Sequence, residues 1–296
     1  MKCEDIRKIV VVGAGMMGSQ IAQLFAEKGY SVSLVDVSDE RVQLGINSIK
    51  DRLDKFFVKK GKITQEQADA ILAKIKGTTN LEEACKDVDF VVEAVFEDLN
   101  LKKDVFKRLD QATPKHTILA SNTSSLSITE MAKVTSKPDK VVGTHFFNPV
   151  AVMRLVEVVK GLTSDETVNV TMELMKKLGK TPILCKDSPG FVANRVYAGL
   201  IQEALWCVYT GVASPKDVDT ALKLGYNLPM GPLELMDYTG GWDIALTMSK
   251  LYMEEFGPRY APCPLLFELV RAGYLGKKVG TAGKGIYDYY EEHMKK

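Results

Sequence analysis

The hexapeptide Gly13-Ala14-Gly15-Met16-Met17-Gly18 carries the spacing G-x-G-x-x-G directly after the apolar run Ile9-Val10-Val11-Val12. A strand that turns sharply into a helix needs glycine at the turn, and a helix starting at Met16 and Met17 presents backbone amides without intrahelical partners. Gly13 suits the tight turn, Gly15 lets a pyrophosphate approach the backbone, and Gly18 lets helix and strand pack closely. Asp36 lies eighteen residues after Gly18, at the end of the strand-like run Ser31–Val35. Its carboxylate can accept hydrogen bonds from a ribose 2′-hydroxyl and would repel a 2′-phosphate. The expectation is a dinucleotide site that favours NAD over NADP.

His145, one of three histidines, ends the run Val141-Val142-Gly143-Thr144. In open α/β sheets ligands bind beyond the carboxyl ends of the strands, although a histidine alone in a strand is more often a satisfied core residue. Glu157, twelve residues on, is embedded in the apolar run Leu155–Val159, where an unpaired carboxylate is costly. A pair in which Glu157 accepts from one imidazole nitrogen leaves the other to exchange a proton with a substrate. Ser121-Asn122-Thr123-Ser124-Ser125 follows another strand end, at Ala120. Ser127 with Glu130 reads as a capping box, which leaves Asn122 and Ser124 free for other work. Asn194 is a poor helix-interior residue, and a surface position explains it as well as a site does.

The elements that must carry these residues alternate. Short strands at Ile9–Val12, Ser31–Val35, Phe90–Val92, Thr117–Ala120, Val141–His145 and Leu155–Val159 are separated by helical patterns, which predicts a mostly parallel, helix-covered Rossmann-like sheet. An insertion at about 38–77 reads as two antiparallel helices. Val42, Ile46, Ile49, Leu53 and Phe56 share one face of the first, and Thr64 with Gln67 caps a second that runs through Ile75 to Gly77. Lys50, Arg52, Lys55, Lys59, Lys60 and Lys62 crowd the end of the first helix, a charge run that a solvated face would also produce. After Asp187-Ser188-Pro189-Gly190 no strand pattern returns. Ser188 and Pro189 predict a helix start, and Ser214-Pro215 with Asp217 predicts another. The expected domains are 1–187, an NAD-binding domain, and 188–296, all helical.

Composition bounds the function classes. The 296 residues include 39 basic and 38 acidic side chains, so there is no polybasic field for nucleic acid. With 46% hydrophobic residues the chain can bury a full core, yet no apolar run approaches a membrane span. The start of the chain shows no signal-peptide pattern, and the five scattered cysteines fit neither a disulfide framework nor a zinc site. A cytoplasmic protein without a metal is expected.

GAGMMGSQIA with Asp36, then VVEAVFED, ASNTSSLSIT, GTHFFNPVAVMRLVEVV, SPGFVANR and LGYNLPMGPLELMD, in that order, resemble the L-3-hydroxyacyl-CoA dehydrogenase family, and most of all its bacterial 3-hydroxybutyryl-CoA branch. The resemblance runs from Ile6 to the closing Lys284-Gly285-Ile286-Tyr287-Asp288-Tyr289. It implies reversible NAD-dependent oxidation of (S)-3-hydroxybutyryl-CoA to acetoacetyl-CoA, as in fatty-acid or butyrate metabolism. It further implies His145 as acid/base, Glu157 as its orienting partner, and Ser124 and Asn194 as groups that hold the substrate's 3-oxygen or thioester region. Glu97, Lys102, Asn122, Ser124, Asn148 and Lys278 would surround NAD together with the glycine loop. Lys55 and Lys59, with Lys60 as a fallback, would meet the coenzyme A phosphates, although Arg52 stands where some relatives have serine. A homodimer joined through the helical C-terminal domain is implied as well. A gulonate-type dehydrogenase acting on a free hydroxy acid and a non-catalytic NAD-binding protein are the competing readings.

Overall fold

The computed structural model describes residues 1–277 and 283–295, which divide into two compact units, Met1–Phe191 and Val192–Lys296. The first unit is built on an eight-stranded sheet: β1 Lys8–Val12, β2 Ser31–Val35, β3 Ile75–Thr78, β4 Phe90–Glu93, β5 Ile118–Ser121, β6 Val141–Phe146, β7 Leu155–Lys160 and β8 Thr181–Lys186. The strand order is β3-β2-β1-β4-β5-β6-β7-β8, parallel throughout except that β7 runs antiparallel to β6. Central strands are nearly continuous runs of valine and isoleucine because both faces are covered. One face packs α1 Met16–Glu27 and α2 Asp39–Leu53, with α3 Gln65–Leu72 against them. The other face buries α4 Leu81–Cys85, α5 Leu99–Ala112 and α6 Ile128–Ala132. Helix α7 Asp165–Lys177 packs on β7 and β8.

Two strands carry no pattern that the sequence reading could use. Ile75–Thr78 was expected as the end of a helix, but α3 stops at Leu72 and Gly77 pairs with Leu34 in the edge strand β3. A side chain at Gly77 would run into Val42 and Ile46, so glycine here permits close packing of α2 on the strand. Strand β8 contains Pro182, which is tolerated because β8 is the opposite edge.

The Thr64–Gln67 capping box forms as expected. Ser127 caps α6 through the Glu130 amide, but the reciprocal half is replaced: Glu130 pairs with Lys103, and Asp187 accepts from the Ile128 and Thr129 amides and from Ser127 Oγ. Ser188 is not the N-cap residue of the next helix; Val192 holds that position. Gly190 and Phe191 have positive φ values of 71° and 49°, so the chain turns once more and the next helix starts at Ala193. With Asp187 tied to α6 and Phe191 buried among the apolar residues of the sheet's second face, this turn stays with the first unit.

The second unit is helical: α8 Ala193–Tyr209, α9 Pro215–Gly225, α10 Pro232–Thr239, α11 Trp242–Phe256, α12 Pro264–Arg271 and α13 Ile286–Tyr289. Ser214 caps α9 as its sequence suggests. Trp242, Leu233, Leu265 and Ile286 centre the core. Two buried carboxylates are satisfied inside it, Asp219 by the Leu233 and Glu234 amides and Asp237 by Trp242 Nε1 and the Ile286 amide. Among the described residues no helix is long and apolar enough to cross a membrane.

Candidate active site

The glycine turn joins β1 to α1. Gly13 has φ 103°, a region that favours glycine, and a Cβ on it would lie 2.5 Å from the Ala94 carbonyl oxygen. A Cβ on Gly18 would collide with the Gly13 carbonyl oxygen, so these two glycines are required by the fold itself. Gly15 differs. A Cβ there would meet nothing within 4 Å, so the space over its backbone is open at the α1 N-terminus, beside the Met16 and Met17 amides. An open cradle over a helix start is what a pyrophosphate requires. Asp36 is held by the Ala14 and Val37 amides, both at 2.7 Å and one on each carboxylate oxygen, leaving lone pairs for a further donor.

A polar network continues along the carboxyl ends of β4 and β5. Glu97 accepts from Thr123 Oγ1 at 2.5 Å, from the Ser124 amide at 2.9 Å and from Ser124 Oγ at 3.3 Å, and lies 3.3 Å from Lys102 Nζ. Burial pushes its carboxyl up, but Lys102 and these donors together hold it below the ordinary value. Asn122 Oδ1 accepts from the Phe146 amide, and Asn148 Oδ1 accepts from Gln20 Nε2 at 2.9 Å. Gln20 Oε1 in turn accepts from the Val150 amide, so α1 is tied to the loop that follows β6.

His145 and Glu157 face each other across the antiparallel pair β6/β7. His145 Nδ1 lies 2.7 Å from Glu157 Oε2, with Glu157 wholly buried and His145 nearly so. The rings of Phe147 and Phe191 flank the imidazole, with centroids 4.4 and 5.8 Å away. A carboxylate fixed on Nδ1 sets the tautomer and steadies an imidazolium, which leaves Nε2 as the nitrogen for proton exchange.

A cavity of about 440 Å³ opens beside α1 and the end of α2, with Phe56, Phe57 and Val152 among its walls and Arg52, Lys60 and Lys62 as its cations. Arg52 donates to Gln23 and Ser48, while its Nη2 is buried without a hydrogen-bond partner. Lys55 and Lys59 do not line this cavity. Lys59 pairs with Asp54 at 2.7 Å, and Lys55 sits over the Phe56 ring. A π-turn over Asp54–Val58 closes i→i−5 hydrogen bonds and shifts the faces of the helix end, which also takes Phe56 off the buried stripe of Val42, Ile49 and Leu53.

Family models for the 3-hydroxyacyl-CoA dehydrogenase NAD binding domain and C-terminal domain match residues 8–188 and 190–289. The chain belongs to the 3-hydroxyacyl-CoA dehydrogenase family. It is an NAD-dependent oxidoreductase with a Rossmann-like NAD-binding domain. Among its relatives, a probable 3-hydroxybutyryl-CoA dehydrogenase of Bacillus subtilis is 47% identical over 97% of this chain and 99% of its own length. A 3-hydroxybutyryl-CoA dehydrogenase of Clostridioides difficile is 47% identical over 95% of this chain and 99% of its own. The crystal structure of (S)-3-hydroxybutyryl-CoA dehydrogenase from Ralstonia eutropha superposes with a TM-score of 0.90 at 46% identity, covering 95% of this chain and 98% of that one.

Within this 3-hydroxyacyl-CoA dehydrogenase the residues singled out in the sequence divide by location. Gly13, Gly15, Met16, Met17, Gly18, Asp36, Glu97, Lys102, Asn122, Ser124, His145, Asn148 and Glu157 all belong to the first unit; most lie at or just beyond the carboxyl ends of its parallel strands, whereas Lys102 lies in α5 and Glu157 is the third residue of the antiparallel β7, opposite His145. Asn194 lies in the first turn of α8 in the second unit, and Lys278 lies outside the described residues. Among the described residues no group of three or more His, Cys, Asp or Glu side chains could hold a metal ion. Sequence reasoning missed Gln20, Glu93, Asp187 and Phe191. For Glu93 a signal existed: like Glu157, it is an acid in an apolar strand run, Phe90-Val91-Val92-Glu93, and must have partners.

Proposed function

We propose that the enzyme interconverts (S)-3-hydroxybutyryl-CoA and acetoacetyl-CoA, with His145 as the acid/base. The observation that carries this reading is the 2.7 Å contact between His145 Nδ1 and the buried Glu157 carboxylate at the end of β6. His145 Nε2 takes the proton of the 3-hydroxyl in oxidation and returns it to the 3-oxygen in reduction, and Glu157 stabilises the imidazolium in between. NAD, when bound, supplies the hydride chemistry. Glycine-loop amides and Asp36 hold its pyrophosphate and ribose, with Glu97, Lys102, Asn122, Asn148 and Ser124 completing its surroundings. Ser124 and Asn194 hold the substrate's 3-oxygen or thioester region.

The inserted helices serve the coenzyme A end. Arg52, Lys60 and Lys62 supply charge for it around a cavity with apolar walls, whereas Lys55 and Lys59 lie on the exposed face of the helix end, outside that cavity. Exposed apolar side chains on the second unit, including Val196, Val212, Leu224 and Tyr226, support a homodimer joined through that unit. A cytoplasmic location completes the reading.

The test is loss of NADH absorbance on adding acetoacetyl-CoA, beside parallel reactions with NADPH and with free acetoacetate. Rapid loss with NADH and the thioester only is the expected result. Turnover of the free acid instead would indicate a gulonate-type enzyme, and NADH binding without turnover of either would indicate a non-catalytic binder.

A further inference from the structure

Glu93 ends β4, level with Val12 of β1 and Ser121 of β5 across the sheet. Its side chain is wholly buried, as is that of Lys102, whose Nζ donates to Glu93 Oε1 at 2.7 Å. The Val95 amide donates to the same oxygen at 2.7 Å, and Ser121 Oγ donates to Oε2 at 2.6 Å. Ser121 Oγ also accepts from the Thr123 amide at 3.2 Å. Nothing in the proposed chemistry uses this carboxylate, yet it collects three donors from three segments.

Each donor leads to a different wall of the site. Val95 follows Ala94, whose carbonyl oxygen is the atom that a Cβ on Gly13 would strike, so this bond fixes the surface on which the glycine turn packs. Lys102 bridges from Glu93 to Glu97, and Glu97 holds Ser124 through its amide and hydroxyl. Ser121 is the last residue of β5, directly before the loop that presents Asn122, Thr123 and Ser124. A buried ion pair is weak evidence for stability, since apolar residues of similar volume often serve as well. What an apolar pair cannot do is aim three segments at once, and a ligand site held by such a network is pre-organised.

We propose that Glu93 is a positioning residue of this dehydrogenase, setting the glycine turn, Glu97 and Ser124 in register through Val95, Lys102 and Ser121. The inference rests on the reading of Glu97 and Ser124 as ligand-facing groups given above. Its test is a double-variant cycle on the full-length enzyme, E93Q against E97Q, read by fluorescence titration with NADH and by kcat/KM with acetoacetyl-CoA. Glu93→Gln preserves volume but removes the charge that holds Lys102. It is expected to weaken NADH binding roughly tenfold and lower kcat/KM by ten- to a hundredfold, as small displacements at a reacting centre do. The double variant is expected to be no worse than the worse single variant, because Glu93 acts through the loop that Glu97 holds. A lower melting temperature with NADH affinity and kcat/KM within twofold of the wild type, or losses that multiply in the double variant, would overturn the proposal. If E93Q fails to fold, S121A removes one donor while keeping the ion pair and enters the same cycle under the same criteria. If the wild type binds NADH without reducing acetoacetyl-CoA, the proposed function fails, and the NADH half of the cycle still decides the role of Glu93.

Discussion

His145 and Glu157 are register partners across the antiparallel pair β6/β7, and this opposition brings Nδ1 and Oε2 to 2.7 Å. β7 is the one strand that runs against its β6 neighbour, so the residues twelve apart in sequence end side by side at the mouth of the sheet.

Replacing Glu157 with Gln keeps the size of the side chain but not its charge, and its amide can present a donor to Nδ1. The expected outcome is a fall in kcat of about 10²–10⁴-fold, as when a histidine base loses its orienting carboxylate. NADH affinity should stay within twofold, because the pair lies apart from the glycine turn. Steady-state kinetics beside a fluorescence titration checks both halves, and a variant with wild-type kcat would remove Glu157 from the mechanism.

Gly13→Ala and Gly15→Ala should separate folding from binding. Alanine at 13 is strained at φ 103° and meets the Ala94 carbonyl oxygen, so a loss of about 1–3 kcal/mol is expected. Alanine at 15 meets nothing in the protein and keeps an ordinary φ of −69°. Its melting temperature should match the wild type while NADH affinity falls about tenfold or more, since the added methyl occupies the space a phosphate needs. Equal NADH affinity in the Gly15→Ala protein would contradict the open-cradle argument.

Asp36→Ala should raise the dissociation constant for NADH about tenfold, near 1.4 kcal/mol, and narrow the preference over NADPH. Part of that loss comes from the Ala14 and Val37 amides, which lose their acceptor. Asp36→Asn, which still offers an oxygen to one of them, should recover folding stability without recovering discrimination against NADPH.

Glu97 gives a pH dependence with a defined sign. Its folded-state value is held below the ordinary 4.5, the opposing effect of burial being outweighed by Lys102, Thr123 and the Ser124 amide. A depressed carboxylate contributes stability that is fully present above its unfolded value and is lost as pH falls through its folded value. The melting-temperature gap between wild type and Glu97→Gln should therefore be constant at neutral pH and close at pH below about 4.5. A gap that widens in acid would show that the network does not favour the ionised form.

Arg52 and Lys60 should matter more to the acyl-CoA end than Lys55 and Lys59. Arg52→Ala and Lys60→Ala are each expected to raise KM for acetoacetyl-CoA about three- to tenfold, the scale of one lost charge-assisted hydrogen bond. NADH affinity should not move. The effect at the exposed Lys60 should shrink in high salt, where charges at the protein surface are screened. A larger effect at Lys55 or Lys59 would return the phosphates to the solvent face of the helix end.

What the sequence determines by itself here is what local chemistry specifies. A strand, a glycine turn and a helix are contiguous, so Gly13 to Gly18 and Asp36 could be read in order, and the alternating strand and helix patterns carried the sheet. Edge strands β3 and β8 escaped, because a short run with Gly77 and one with Pro182 pair only by virtue of their neighbours. Ser188 and Pro189 read as a helix start that the positive φ of Gly190 and Phe191 postponed.

Tertiary structure decided the partners. Glu157 demanded one on energetic grounds, but strand register chose His145. Glu93 made the same demand unnoticed, since its donors come from Val95, Lys102 and Ser121, on three segments that only the folded sheet gathers. Which cations face the cavity depended on the π-turn at Asp54–Val58, where hydrogen bonds spanning five residues instead of four rotate Lys55 and Lys59 out of phase with a regular helix. Backbone propensity is encoded within a few residues, whereas hydrogen-bond partnership among buried groups is settled only when distant segments must satisfy one another out of water.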